Sequence, residues 1–464
     1  MSVNRRHVLG TGAAGLGIVL TGSIGSVFGG TAYAGGPQGG QGSHGDPGHG
    51  PVFKGYGDLV ADPNGVVDLP KGFSYTKVSV QGTPLAGGGL SPTFQDGMHT
   101  FAAGRNTAIV RNHELTHEAK YPVPHVKGLT YDEGADGGNT VLVVDGGKLL
   151  SEKVGLAGTV RNCAGGPTPW GTWLTCEETE LVPVGDPFAP DTASLHDAKL
   201  TKRHGYVFEV DPFGRLHDPA PVPLTALGRY AHEAVAVDPK TGILYLTEDA
   251  SGPFGLVYRF LPKRPLGGPG SLRAGGKLQA MFAGGLADLS GVTEIGTKLA
   301  VKWVDVPDPD ATTTSVRKQF TAGSVSVVPK AEGIYFRDGS AYFVSSYAKA
   351  APAAGLHEGQ VWRFDPKRST IELVVRFAPG GTFDGPDNIH ISAWGEMILC
   401  EDGDGDNHLV VIGDDGNPYP LARSVSQAEF AGATFSPDGK YLYANIQEDG
   451  VTVAIKGPWQ SDRH

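Results

Sequence analysis

Short β-branched and aromatic runs, each closed by an Asp, Pro or Gly turn, recur along this chain, and no other feature limits its fold so tightly. Residues 140–145, 206–211, 243–247, 341–345 and 361–365 are runs of this kind. Their length and their turn-forming borders read as strands. The turns echo one another: Val210-Asp-Pro-Phe-Gly214, Val237-Asp-Pro-Lys-Thr-Gly242, Phe364-Asp-Pro-Lys-Arg368 and Ser436-Pro-Asp-Gly439. The 70 glycines and 34 prolines are spread along the chain, as so many turns require. No segment keeps an amphipathic 3.6-residue period for three turns, which sets helical bundles aside. Repeated strand, tight turn and return strand is the signature of propeller blades. At roughly 45–70 residues per blade there is room for six to eight. The expectation is an all-β chain, a β-propeller with six blades. A β-sandwich needs fewer strands than are offered. In a propeller, loops far apart in sequence meet at one mouth of the central channel.

The N-terminal part reads differently. Arg5 and Arg6 precede a weakly apolar, glycine-interrupted stretch, and Ala32-Tyr33-Ala34 supplies a small-x-small pattern. Residues 1–34 therefore read as a twin-arginine signal peptide, with an ordinary secretory signal as the alternative. The expectation is export to a periplasmic, wall-associated or extracellular place, with the twin-arginine export machinery as a partner. Residues 35–50 are a flexible Gly-rich linker that has no means of burying a core. Residues 51–464 are then a single propeller domain. No later apolar run is long enough to cross a membrane, so no span is expected in the mature chain.

Of 38 Lys and Arg, two lie in the signal, which has no acidic residue; the remaining 36 face 49 Asp and Glu, a mature net charge of −13. Such a surface repels nucleic acid. A phosphate-bearing small molecule stays possible, because bound cations invert the local field. Three cysteines, Cys163, Cys176 and Cys400, are too few for a disulfide scaffold.

The densest segment is Arg161-Asn-Cys-Ala-Gly-Gly-Pro-Thr-Pro-Trp-Gly-Thr-Trp-Leu-Thr-Cys-Glu-Glu178. A buried structural blade accounts for Trp170, Trp173 and Cys176, and less well for Asn162-Cys163 before a Gly-Gly turn. Further carboxylates sit in His232-Glu233 leading into a strand, Glu248-Asp249 ending one, Lys330-Ala-Glu332 and Pro386-Asp-Asn388 preceding strands, and Cys400-Glu-Asp402 ending one. Each alone reads as a solvated turn. Gathered at one channel mouth they form a ring of like charges that needs cations. Oxygen-rich sites suit calcium, and a thiolate in the ring favours a softer, redox-capable metal such as iron. No Gly-x-Ser-x-Gly elbow, His-Glu-x-x-His or phosphate-cradling Gly-x-x-x-x-Gly-Lys loop occurs.

At these residues the chain resembles the PhoX family of exported bacterial phosphatases. The resemblance runs from Leu-Pro-Lys-Gly-Phe73 and Asp96-Gly-Met98 through Arg111-Asn-His-Glu114 and the block from Asn162-Cys163 to Glu178. It continues through His232-Glu233, Glu248-Asp249, Glu332-Gly333, Pro386-Asp-Asn388 and Glu401-Asp402 to Glu429-Phe-Ala-Gly432 and Asn445-Ile-Gln447. It implies a six-bladed propeller in which an iron–calcium cluster hydrolyses small phosphate monoesters, acting as a monomer. It makes Cys163 the iron-bound thiolate, and Glu178, Glu233, Glu332 and Asp387 the carboxylates holding iron and calcium. It gives Lys330 the charge on the transferring phosphoryl group, and sets Asn162 beside the thiolate to fix phosphate or cluster. Glu114, Glu401 and Asp402 are candidates for an outlying calcium. Lys330 departs from the Arg usual in the family, and an ammonium cannot grip two phosphate oxygens as a guanidinium does. The rival readings are a calcium-dependent propeller lactonase, which has no need of Cys163, and a non-catalytic binding propeller.

Overall fold

A computed structural model describes residues 52–346 and 353–459. The signal read at 1–34 and the linker read at 35–50 lie outside the described residues. Among the described residues there is no α-helix, only short 3-10 turns between strands. None of their helices is long and apolar enough to cross a membrane.

Six strands start the antiparallel sheets and pack side by side in a closed ring: Gln95–Ala103, Asn162–Pro167, His232–Val237, Ala331–Arg337, Pro386–Ile391 and Phe430–Phe435. Their sequences explain the place. His232–Val237 and Phe430–Phe435 are buried along their whole length, with apolar or small residues beyond the first turn. Outer strands instead alternate, as in Thr370–Phe377, where Ile371, Leu373, Val375 and Phe377 turn inward and their neighbours face out. The apolar faces of adjacent sheets meet in layers. Tyr245, Phe343, Trp362 and Phe364 fill one such layer, and Ile398, Leu409, Phe430 and Ile455 another. The architecture is the all-β propeller expected.

The sheets do not divide one to a blade as six separate blades would. Four sheets have four or more strands, and the others have three and two. One reason is a fusion: Lys298–Asp305 pairs with Thr370–Phe377 across the boundary, through Leu299 opposite Ile371, and this joins nine strands into one sheet. Another is a truncation, because the sheet of Asn162–Pro167 has only Trp173–Glu177 and Val207–Val210 beside it. The ring closes by a clasp. The last inner strand continues into Tyr441–Ile446 and Val451–Lys456, and the outermost strand of that sheet is Ser74–Val80 from the other end of the chain.

Candidate metal centre

The six inner strands share one irregularity. A step of three residues on the inner strand matches a step of two on its neighbour. This holds from Gln95 to Met98, Asn162 to Gly165, His232 to Val235, Ala331 to Ile334, Pro386 to Ile389 and Ala431 to Thr434. Such a bulge leaves a residue unpaired and re-aims its side chain. The first bulged residues are Asp96, Cys163, Glu233, Glu332, Asp387 and Gly432. Five of these six carry a metal-ligating group. Glu332 and Asp387, read from sequence as preceding strands, lie inside them at the bulge.

The second bulged residues are Gly97, Ala164, Ala234, Gly333, Asn388 and Ala433, and two glycines show why they are mostly small. A Cβ on Gly97 would meet the Cys163 carbonyl at 2.8 Å, and one on Gly333 would meet the Asp387 carbonyl at 2.8 Å. The inner strands therefore touch backbone to backbone around the channel. A bulge also leaves carbonyls without ladder partners, and buried carbonyls need donors. Asn112 Nδ2 donates to the carbonyls of both Cys163 (3.0 Å) and Ala164 (2.8 Å). Asn445 Nδ2 does the same for the Asp96 carbonyl at 2.6 Å. At the sixth position Gly432 has φ +64°, and its N–H donates to Asn388 Oδ1 at 2.6 Å.

Ligand atoms of Cys163, Glu178 and Glu233 lie within 4.8 Å of one another, and so do those of Glu233, Glu332 and Asp387. Glu233 belongs to both groups. Glu178 comes from outside the bulges, just after Trp173–Glu177, and its carboxylate accepts from Arg161 Nη2. Arg161 also donates to Glu114 Oε1, from Nε at 3.2 Å and Nη2 at 3.1 Å. Lys330 Nζ lies 2.9 Å from Glu332 Oε1 and 3.1 Å from Asp249 Oδ2.

Crowding marks the electrostatics. Burial, with the charges of Asp387, Glu332, Glu178 and Asp96 added, pushes the Glu233 carboxyl well above the usual range. Burial and Asp249 do the same to Glu332, against the pull of Lys330. Burial, Asp249 and Glu114 raise Glu178 to about 8, with Arg161 and Lys330 opposing. Burial and Asp402 raise Asp387 to about 7. The Cys163 thiol is pushed up by burial and then by Glu233, Glu178 and Asp96. Burial alone lowers the Lys330 ammonium, but Asp249 and Glu332 outweigh it and hold the proton firmly. These are the marks of a site that bound cations stabilise. One sulfur among several carboxylates is a mixed donor set, in which a thiolate suits a softer metal and the carboxylates a hard one.

The residues expected from sequence divide into three groups. Cys163, Glu178, Glu233, Glu332 and Asp387 meet, with Lys330 beside them. Glu114 and Asp402 lie at the margin: Glu114 is tied to Arg161 and to Gln447 Nε2 at 3.2 Å, and the charge of Asp402 acts on Asp387 and Lys330. Asn162 and Glu401 are hydrogen-bonded to residues outside the two groups. The buried Asn162 side chain accepts from Thr159 Oγ1 at 2.5 Å and donates to Thr175 Oγ1 at 2.9 Å, which ties down its own bulge. Glu401 accepts from His408 Nδ1 at 2.8 Å and from the backbone N–H groups of His408 and Asp384. Cys176 and Cys400 are buried free thiols, as is Cys163.

Three residues escaped the sequence reading. Asp96 stands at the first bulge, with Oδ2 accepting from Gln447 Nε2 at 2.8 Å. Asn112 and Arg161 do the supporting work just described. Asp96, Asn112 and Arg161 all lie in the motifs quoted above, which is the signal that could have found them.

Among solved structures, the fold is similar to Pseudomonas fluorescens PhoX in complex with vanadate, a transition state analogue. The two share 19% identity over 84% of this chain and 96% of that one, with a TM-score of 0.66. At that identity the likeness speaks for the fold. Looser matches include a virginiamycin B lyase from Staphylococcus aureus, at 11% identity over 83% and 99% of the chains and TM-score 0.37. Another is a gluconolactonase from Xanthomonas campestris, at 14% over 82% and 100% and TM-score 0.37. No curated protein matches the sequence. The family described as alkaline phosphatase PhoX matches residues 54–154 and 146–450, nearly the whole described chain. This chain belongs to the PhoX family of alkaline phosphatases.

Proposed function

We propose that this protein is an exported phosphatase that hydrolyses phosphate monoesters at an iron–calcium cluster in the propeller channel. The observation that carries the reading is the meeting of Cys163, Glu178, Glu233, Glu332 and Asp387 in two groups that share Glu233. A purely structural role leaves that arrangement unexplained, because buried like charges destabilise the ring until cations arrive. The family and the vanadate complex of the Pseudomonas fluorescens protein support phosphoryl chemistry. Export rests on Arg5 and Arg6 and on the family.

Cys163 and the four carboxylates would hold the metals. Iron and calcium, when bound, supply Lewis acidity that neutralises phosphoryl oxygens. The chain's own part is to fix those ligands on rigid strand bulges and to keep a protonated Lys330 at the rim, where it stabilises charge on the transferring phosphoryl group. No Ser or Thr nucleophile is needed. The test is elemental analysis of natively exported protein, followed by hydrolysis of p-nitrophenyl phosphate before and after loading with iron and calcium. Protein free of both metals, and no faster after loading, would overturn the reading.

A further inference from the structure

Arg161 and Lys330 occupy equivalent places in two blades. Each stands two residues ahead of a bulged ligand, Cys163 in one case and Glu332 in the other. Each adopts the left-handed backbone that non-glycine residues avoid, with φ +50° at Arg161 and +45° at Lys330. Strain of that sort persists where the surroundings enforce it, and it gathers at functional sites. Each cation also bridges two carboxylates, Glu114 with Glu178 and Asp249 with Glu332. Both act electrostatically on the same side chain, Glu178.

Exposure puts the cations above the acids. The Arg161 side chain is 38% exposed and that of Lys330 26%, against 6% for Glu114, 13% for Glu178, 14% for Asp249 and 5% for Glu332. An anion arriving from solvent therefore reaches the two cations before the acidic ring. Of the two, only the guanidinium is planar with donors on three nitrogens, of which Nε and Nη2 go to Glu114 and Glu178, whereas Lys330 is a compact point charge. Held by two carboxylates, the guanidinium is already oriented, so little side-chain freedom is lost on binding.

We propose that Arg161 binds the phosphoryl group of the substrate directly, as a guanidinium paired with Lys330 across the rim of the ring. The inference rests on the phosphatase reading and adds to it a second substrate-contacting cation. The ligand class is a terminal phosphate dianion, which offers oxygens to both cations at once.

The experiment uses the metal-loaded protein and the variants Arg161→Gln and Arg161→Lys. It measures KM for p-nitrophenyl phosphate, inhibition by inorganic phosphate, and iron and calcium content. The expected result is that Arg161→Gln raises both KM and the phosphate inhibition constant by about 10- to 100-fold with metal content unchanged. Arg161→Lys, which keeps the charge and loses the planar group held by Glu114 and Glu178, falls between. Unchanged KM and phosphate inhibition in Arg161→Gln overturn the inference. Loss of metal in step with loss of activity in both variants also overturns it, since Arg161 would then only hold Glu178 in place. A wild-type protein that neither hydrolyses the ester nor binds phosphate removes the phosphatase reading, and this inference with it.

Discussion

Gly97 lies so close to Ala164 that an added Cβ would stand 2.6 Å from the Ala164 Cα. This contact joins the inner strand that carries Asp96 to the one that carries Cys163, and it is made of backbone on both sides. Gly97→Ala therefore cannot be absorbed by a side-chain rotation. It is expected to lower stability by about 1–3 kcal/mol and to weaken metal binding with it. Gly291, around which a Cβ meets nothing within 4 Å, is the control, and Gly291→Ala should stay within about 0.5 kcal/mol of wild type. Equal unfolding midpoints for the two variants would show that the strands can part freely.

Cys163 brings the one sulfur to the residues that meet in the two groups, and the proposed iron–calcium cluster makes it the iron ligand. Cys163→Ser keeps the size and removes the thiolate, so iron should be lost while calcium is retained. Hydrolysis should fall beyond the roughly 10- to 100-fold typical of outer-shell changes at metal sites. Iron content and rate equal to wild type would favour a calcium-only hydrolase.

Removing the metals should reverse the usual pH dependence of stability. Carboxyls near 4 in the unfolded chain sit higher in the folded one, at about 7 for Asp387 and about 8 for Glu178. The folded state then binds more protons, so stability falls as pH rises from about 4 through 8. Thermal unfolding of chelated protein should show this decline, Glu233→Gln should flatten it, and added calcium should cancel it. A chelated protein that grows more stable from pH 5 to pH 8 would contradict the crowded ring.

His204 adds to the same downward slope at higher pH, but as a stabilising charge. Burial lowers its pKa, but Glu177 and Asp132 outweigh burial and raise it to about 9. Nδ1 lies 2.6 Å from Glu177 Oε1, and Glu177 also accepts from the N–H groups of Val160, Gly205 and Tyr206. The clasp anchors the segment next to Glu178. Its contribution is complete below the unfolded value near 6.5 and lost as pH rises through about 9. His204→Gln should cost on the order of 2–3 kcal/mol at pH 6, and the gap to wild type should narrow by pH 10. A gap that is constant with pH would mean that His204 stays neutral.

What the sequence could reveal follows from where the information lies. Strands and turns are local, so runs such as 206–211 and 361–365 could be read directly, and the Asp-Pro repeats pointed to a propeller. Residue type marked the cysteine block and the carboxylate clusters, and the family resemblance picked Cys163, Glu178, Glu233, Glu332 and Asp387 out of them. The bulges were hidden, because a three-for-two register exists only between paired strands. For that reason Asp96 was given no role of its own, and Glu332 and Asp387 were set outside their strands. Asn162 was singled out as the neighbour of Cys163, and in the fold its amide bonds Thr159 and Thr175. Asn112 was invisible as a support, since the carbonyls it satisfies lie 51 and 52 residues away.

The clasp between Ser74–Val80 and Val451–Lys456 has a bearing on biosynthesis. Those segments stand at opposite ends of the described chain, and the ring bearing Asp96 and Asp387 cannot seal until the later one has left the ribosome. Metal ions offered during translation would meet only scattered carboxylates and a lone thiol. Loading must therefore wait for a finished polypeptide, and any truncation that removes Val451–Lys456 should release an apoprotein however much metal the cell supplies.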